Sequence, residues 1–179
     1  GGRIARADTE GRGLFSGDFG FDRRSVQGAI AGDADGFYAG GKDGYVYAFD
    51  RAGIERWRFD QEVSWALRGP AVAGDRVIAT TSDGRFVQAL DRRTGRELWR
   101  TTMMAPVWTA AAVAGDVVYA ADGAGFLLAM ALDSGAELWR FRAGGQVRSS
   151  PVPADGLVIF GADDGAVYAL RDGPPLRRA

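Results

Sequence analysis

The 179 residues contain no cysteine, no histidine and no asparagine, and lysine occurs once, at Lys42. Without cysteine there is no disulfide, no thiolate nucleophile and no Cys-based zinc site. Without histidine there is no Ser-His-Asp triad and no imidazole acid–base catalysis. Any proton transfer would fall to Asp, Glu, Tyr or the lone Lys. No stretch approaches the roughly 20 apolar residues of a membrane span, and no signal peptide is visible. A helical pattern of about ten residues or more is missing as well. Nor is there an excess of one charge. Lys and Arg number 22 and Asp and Glu 23, a formal net charge of −1 with a pI near 5.5. The arginines are spread along the chain, which argues against a nucleic-acid or anionic-membrane surface. The first residue is Gly1, so the chain reads as a processed protein or a fragment.

What is present is apolar residue and glycine. Hydrophobic residues make up 46% and charged residues 25%, enough for a packed core. Glycine, at 27 residues, is about twice as frequent as usual and signals many tight turns. The apolar residues fall into short runs of four to six, rich in Val, Ile, Tyr, Phe and Trp, as strands require.

These runs repeat. Trp57, Trp99 and Trp139 are 42 and 40 residues apart, and Gly53, Gly95 and Gly135 keep that spacing. Ala48, Ala89, Ala129 and Ala169 are 41, 40 and 40 apart. A period near 40 without helices is the size of a four-stranded antiparallel blade. In one unit, residues 148–152 form a first strand, residues 154–156 a turn, residues 157–160 a second strand and residues 166–170 a third. The preceding unit supplies the fourth, residues 137–141. Asp164-Gly165 is a hairpin turn. Asp-Gly recurs at Asp43-Gly44 and Asp83-Gly84, where the backbone is expected to need positive φ.

The connection from third to fourth strand is the most specific signal. Ala89, Asp91, Thr94, Gly95 and Trp99 spell AxDxxTGxxxW. Ala48, Asp50, Gly53 and Trp57 repeat it one residue shorter. Ala129, Ser134, Gly135 and Trp139 keep the frame with Ala131 in place of Asp, and Asp8, Gly11 and Phe15 form a decayed copy. The Asp carboxylate and the Thr or Ser hydroxyl are placed to accept N–H bonds across the turn. The Gly is expected to be left-handed, and the Trp to pack between neighbouring blades.

This pattern resembles the tryptophan-docking motif of pyrroloquinoline-quinone (PQQ) β-propellers, over about residues 3–171. The resemblance implies an all-β propeller of four-stranded blades. About four to five blades are present here, where family propellers have seven or eight. Residues 1–171 would be a partial propeller, and residues 172–179 a linker or the start of a missing strand. Closure would then need missing blades or self-association.

The family's dehydrogenases hold PQQ and Ca²⁺ in the central funnel through carboxylates and Asn, often beneath a vicinal disulfide. With neither Asn nor Cys, and without those enzymes' long insertions, this chain looks more like the non-catalytic branch. That branch includes the outer-membrane β-barrel assembly lipoprotein and sensor domains of bacterial Ser/Thr kinases. The expectation is therefore a bacterial scaffold binding a protein or peptide on its funnel face, with no catalytic residue, no metal and no cofactor. PQQ with calcium belongs to the alternative reading as a dehydrogenase fragment, and an extracellular kinase sensor is the third. The family implies a periplasmic or cell-envelope home.

Asp33-Ala-Asp35-Gly36 has the look of part of a calcium loop. It lacks the other ligands, and it stands where sister units have plain turns at Gly74-Asp75, Gly115-Asp116 and Asp155-Gly156, so a turn is the better reading. Gly11-Arg-Gly13 and Gly123-Ala-Gly125 open no helix and are not dinucleotide loops.

Function is expected where the units differ. Aligned units put Gln27, Leu67, Trp108 and Arg148 in one slot near the start of the innermost strand, and Gly28, Arg68, Thr109 and Ser149 in the next. Arg68, Trp108, Arg148 and Gln27 are the candidates for ligand or partner contact, the alternative being that they fill the channel or pair with acids. The loops on the same face carry Trp65, Met103 and Met104. These are candidates for an interface or, equally, for capping the local core. The docking residues Asp50, Gly53, Trp57, Asp91, Thr94, Gly95, Trp99, Ser134, Gly135 and Trp139 are read as structural.

Overall fold

A computed structural model describes residues 3–7, 13–18, 26, 28–62 and 68–171. It shows five antiparallel sheets in series. The first pairs β1 (Arg3–Ala7) with β2 (Gly13–Asp18). The second holds β3 (Ala31–Gly32), β4 (Gly36–Gly40), β5 (Tyr45–Asp50) and β6 (Glu55–Asp60). The third holds β7 (Ala71–Ala73), β8 (Arg76–Thr81), β9 (Phe86–Asp91) and β10 (Glu97–Thr102). The fourth holds β11 (Ala112–Ala114), β12 (Val117–Ala121), β13 (Phe126–Ala131) and β14 (Glu137–Arg142). The fifth holds β15 (Val152–Ala154), β16 (Leu157–Gly161) and β17 (Val167–Arg171). Within each sheet the strands follow chain order. No helix among the described residues is long and apolar enough to cross a membrane.

The short first strands stand next to one another, β3 beside β7, β7 beside β11 and β11 beside β15. The sheets therefore fan outward from a common line as the blades of a partial β-propeller. The fourth strands lie outermost and are mostly exposed or half-buried, while the middle strands of the second, third and fourth sheets are buried on both faces. That two-sided burial is why the middle strands read as unbroken apolar runs rather than as alternation.

The core lies between sheets. Ile78, Val87, Ala89 and Trp99 of the third sheet meet Val118, Ala120, Leu128 and Met130 of the fourth. Tyr38, Val46, Ala48 and Trp57 meet Val77, Ala79 and Leu90 one step earlier, and Tyr119, Leu127 and Ala129 meet Val158 and Phe160 one step later. Each middle strand thus commits alternate residues to one neighbour and the rest to the other.

The docking turns join these blades. Trp57 Nε1 donates to the Arg92 carbonyl at 3.0 Å, and Trp99 Nε1 to the Leu132 carbonyl at 2.9 Å, each in the next blade's turn. The glycine of that turn lies under the indole. A Cβ on Gly95 would come within 2.7 Å of the Trp57 ring, and one on Gly135 within 2.5 Å of Trp99. Both glycines are left-handed, at φ 73° and 69°. The turn aspartates act as the motif requires. Asp91 Oδ1 accepts from the N–H groups of Arg93 and Thr94 and from the Thr94 hydroxyl, and Asp50 Oδ1 from the N–H groups of Ala52 and Ile54. The Thr94 hydroxyl and N–H hold the Asp91 carboxyl below the usual aspartate range, against a smaller upward push from burial. Where Ala131 replaces Asp, the turn still closes through the Gly135 N–H to the Ala131 carbonyl. Ser134 Oγ accepts one long bond, 3.4 Å, from the Ala136 N–H.

Three expectations change. The first strand of the last unit begins at Val152, not Arg148, because Arg148 and Ser149 bond to Asp163 and Gly161 by side chain instead of by ladder. The strand at Glu137–Arg142 pairs with β13 in its own sheet, so the fifth sheet shows three strands among the described residues. At Asp83-Gly84 the positive φ falls on Arg85, at 54°. The pair sits one position early in a four-residue loop whose last residue is Gly44 in the second sheet and Gly125 in the fourth. The copy of the docking motif at Asp8 and Gly11 lies outside the described residues, as do residues 172–179.

Candidate partner-binding face

Loops that carry the chain from one blade's fourth strand to the next blade's first lie at the same end as the hairpins joining second and third strands. Backbone bonds fix this. The Gln61, Met103 and Ala143 N–H groups donate to the carbonyls of Gly44, Arg85 and Gly125. In the fourth sheet a buried carboxylate adds to it. Asp122 accepts from the N–H groups of Met104 and Ala105 on one oxygen and of Ala124 and Phe126 on the other, at 3.0–3.2 Å. Four N–H donors satisfy a buried anion, and they lock the 103–105 segment to the 122–126 turn.

The loops after Met103 and Ala143 then insert an apolar anchor, Val107 and Val147, into the core between blades. The next residue points the other way, and this puts Trp108 and Arg148 on the face. One residue later, Thr109 turns back inward, where its hydroxyl donates to the Ala121 carbonyl and its own carbonyl accepts from the Thr80 hydroxyl.

Arg68, Trp108 and Arg148 come from three successive blades and form one contiguous group. Arg68 Nε donates to the Trp108 carbonyl at 2.6 Å. The Arg148 guanidinium lies over the Trp108 ring, 4.8 Å from its centroid. Arg148 also donates to Asp163 at 2.8 Å and to the Gln146 side chain at 2.7 Å. Beneath the indole lies Gly123, whose Cβ would come within 2.7 Å of the ring. The indole is thus fixed between a backbone and a cation. Both arginines are exposed, and the Nη atoms of Arg68 have no partner among the described residues.

The loop methionines separate. Met104 is 62% exposed on this face. Met103 is a correction to the contact candidates: it is 3% exposed and fills the core between the third and fourth sheets, because the residue after the fourth strand turns inward. Gln27, Trp65 and Leu67 lie outside the described residues. Asp122, Asp163 and Gln146 were missed by the sequence reading. The available signal was Asp122 in a slot that holds Gly41, Ser82 and Ala162 in the other blades.

At the other end of the blades, the Asp33-Asp35 turn is a brace. Asp33 Oδ1 accepts from the Asp35 and Gly36 N–H groups, while Arg92 of the next blade spans Asp33 and Asp35 at 2.8 and 2.9 Å. Burial pushes the Asp33 carboxyl up, but those N–H bonds and the Arg92 guanidinium together hold it below the usual range. A cleft of about 490 Å³ beside it is lined by Asp35, Asp50, Arg56, Arg92 and Arg93. Calcium of the kind a PQQ centre uses has no fit here. Arg92 takes one oxygen of Asp33 and one of Asp35, backbone N–H groups take the other Asp33 oxygen, and no three acidic groups converge among the described residues.

Comparison with known proteins agrees with this architecture. The family model described as "Outer membrane protein assembly factor BamB" matches residues 85–173. A quinohemoprotein alcohol dehydrogenase ADH IIB of Pseudomonas putida is 36% identical over 118 residues, which cover 54% of this chain and 17% of that protein. Outer membrane protein assembly factor BamB of Burkholderia pseudomallei is 33% identical over 103 residues, 56% of this chain and 26% of its own length. Serine/threonine-protein kinase AfsK of Streptomyces coelicolor is 33% identical over 127 residues, 71% and 14%. The crystal structure of BamB from Moraxella catarrhalis superposes with a TM-score of 0.82 at 19% identity, over 96% of this chain and 52% of that one, and this shows the fold. The chain therefore spans about a quarter or less of these sequence relatives and about half of the solved structure. Docking turns, blade geometry and relatives converge on one assignment: the chain belongs to the PQQ-like β-propeller repeat family.

Proposed function

We propose that this chain is a non-catalytic propeller scaffold that binds a protein or peptide partner through the loop face carrying Arg68, Trp108 and Arg148. The observation that carries this reading is the convergence of three blade-specific residues into one fixed, exposed group, while the framework slots around them repeat. The fixed cations and half-buried indole are the residue types enriched at binding hot spots. The matched assembly-factor family supports a binding role and a cell-envelope location. A pull-down from a cell-envelope extract tests it. A partner retained by the native chain is expected to be lost on combined Arg68→Ala, Trp108→Ala and Arg148→Ala substitution. Unchanged retention would remove this face.

Similarity to the Pseudomonas putida dehydrogenase supports a second reading, as part of a quinoprotein enzyme. Titration with PQQ and Ca²⁺, followed by absorbance, separates the two, and we expect no saturable shift. The kinase relative supports a sensor domain, which a membrane-spanning segment elsewhere in the parent gene would favour.

A further inference from the structure

We infer that the Arg68–Trp108–Arg148 group is a carboxylate clamp, and that the partner segment it takes is an extended acidic peptide presenting Asp or Glu side chains. The inference rests on the binding role proposed above and names its chemistry.

The two guanidiniums are held through one residue. Arg68 is oriented by its bond to the Trp108 carbonyl and Arg148 by stacking on the Trp108 ring. Arg148 has two further restraints, Asp163 and Gln146, yet its side chain is 59% exposed. A long cationic side chain usually loses rotamer freedom on binding a ligand. Here part of that loss has already occurred, because Arg68 Nε and Arg148 Nε and Nη2 are each held by a bond while both residues stay exposed. Planar donors so placed match a carboxylate in paired N–H···O geometry.

The chemistry also discriminates. Nucleic acid and other dense polyanions are disfavoured, because Asp163 stands beside Arg148 and the chain carries a net charge of −1. A purely apolar peptide would bring no acceptor to the Arg68 Nη donors. Met104, exposed on the same face, offers an apolar contact as well.

The probe is a fluorescent hexapeptide of alternating serine and glutamate, acetylated and amidated. Its glutamine counterpart carries no carboxylate, and a second glutamine peptide has a free C-terminus. Anisotropy measures affinity, and ¹H–¹⁵N spectra follow the Nε–H signals of Arg68 and Arg148 and the indole N–H of Trp108. The glutamate peptide is expected to bind saturably and to move all three signals. Arg68→Gln and Arg148→Gln should each weaken it about tenfold, the scale of one charged hydrogen bond. Equal binding of the glutamate and glutamine peptides would overturn the clamp, as would binding only of the free C-terminus. If the glutamine peptide binds and Trp108→Ala abolishes it, the face still binds peptides and only the clamp falls. If no peptide binds and the partner survives the triple substitution, both readings fall.

Discussion

A single indole and a single glycine make the joints from the second sheet to the third and from the third to the fourth. Trp99 is 8% exposed and donates to the next turn, so Trp99→Ala is expected to cost about 3–5 kcal/mol in urea unfolding. Gly135 supplies the other half. It is left-handed and lies against the Trp99 ring, whereas Gly115 is left-handed at φ 54° with open space where a Cβ would go. Gly115→Ala should therefore cost only backbone strain, about 1–2 kcal/mol. Gly135→Ala should cost clearly more, and equal losses would show that the indole does not press on the turn. Protonation reaches turns of both kinds, the docking turn at Asp91 and the hairpin at Asp164. Asp91 has a depressed pKa through the Thr94 hydroxyl and N–H, and Asp164 through the Tyr168 hydroxyl and the Ala166 N–H. The unfolded chain then binds more protons than the folded one across the acid range. These groups contribute stability that is present above the ordinary aspartate value near 4 and is lost as pH falls through their folded values. Asp91→Asn keeps the acceptor oxygen but removes the titration. It should flatten the fall of the urea midpoint between roughly pH 5 and 2. An unchanged slope would show that Asp91 is not among the responsible carboxylates.

Strands and turns carry the comparison between repeats. The third-to-fourth hairpins keep the same bulge beside each Trp, between Ala48 and Phe49, Glu97 and Trp99, and Ala129 and Met130. That regularity was legible in the sequence because Ala, Gly and Trp recur at fixed offsets. The Arg85 turn was not legible, since Asp83-Gly84 fits a hairpin in either of two registers and only packing decides. Gly84 leaves no room for a side chain beside Phe86 and Thr81, and the left-handed residue of this loop is Arg85. Nor was the fate of the two methionines, because adjacent loop residues point to opposite sides. The pairing of Arg68, Trp108 and Arg148 was readable as slots but not as contacts, which depend on how three blades are turned about their axis. One slot is filled against its surroundings. Gln88 is fully buried with neither amide atom partnered among the described residues, where the fourth sheet has Leu128. Gln88→Leu is expected to stabilise by about 1–3 kcal/mol, the cost of a buried unsatisfied polar group. A lower urea midpoint would show that the amide has a partner after all.

At the level of the whole molecule, the last sheet has an outer face that nothing among the described residues covers. Val167 is 77% exposed, although its counterparts Val46, Val87 and Leu127 are fully buried. Val152, two strands away in the same sheet, is 57% exposed. Such a face favours association. Light scattering on a size-exclusion column should give a mass above 19.0 kDa, and Val167→Glu should lower it toward that value. A native chain already at that mass would show that the face is closed.

The joints point one way only. Trp57 reaches forward to the turn at Arg92 and Trp99 to the turn at Leu132, and among the described residues no indole donates back to the preceding blade. The stack therefore has a plug end and a socket end. Two copies joined by this device cannot meet face to face across a two-fold axis through one shared patch. They must follow head to tail, and such a series either bites its own tail as a ring or runs on as a fibre. Whether the angle between blades brings plug to socket after a whole number of copies decides which.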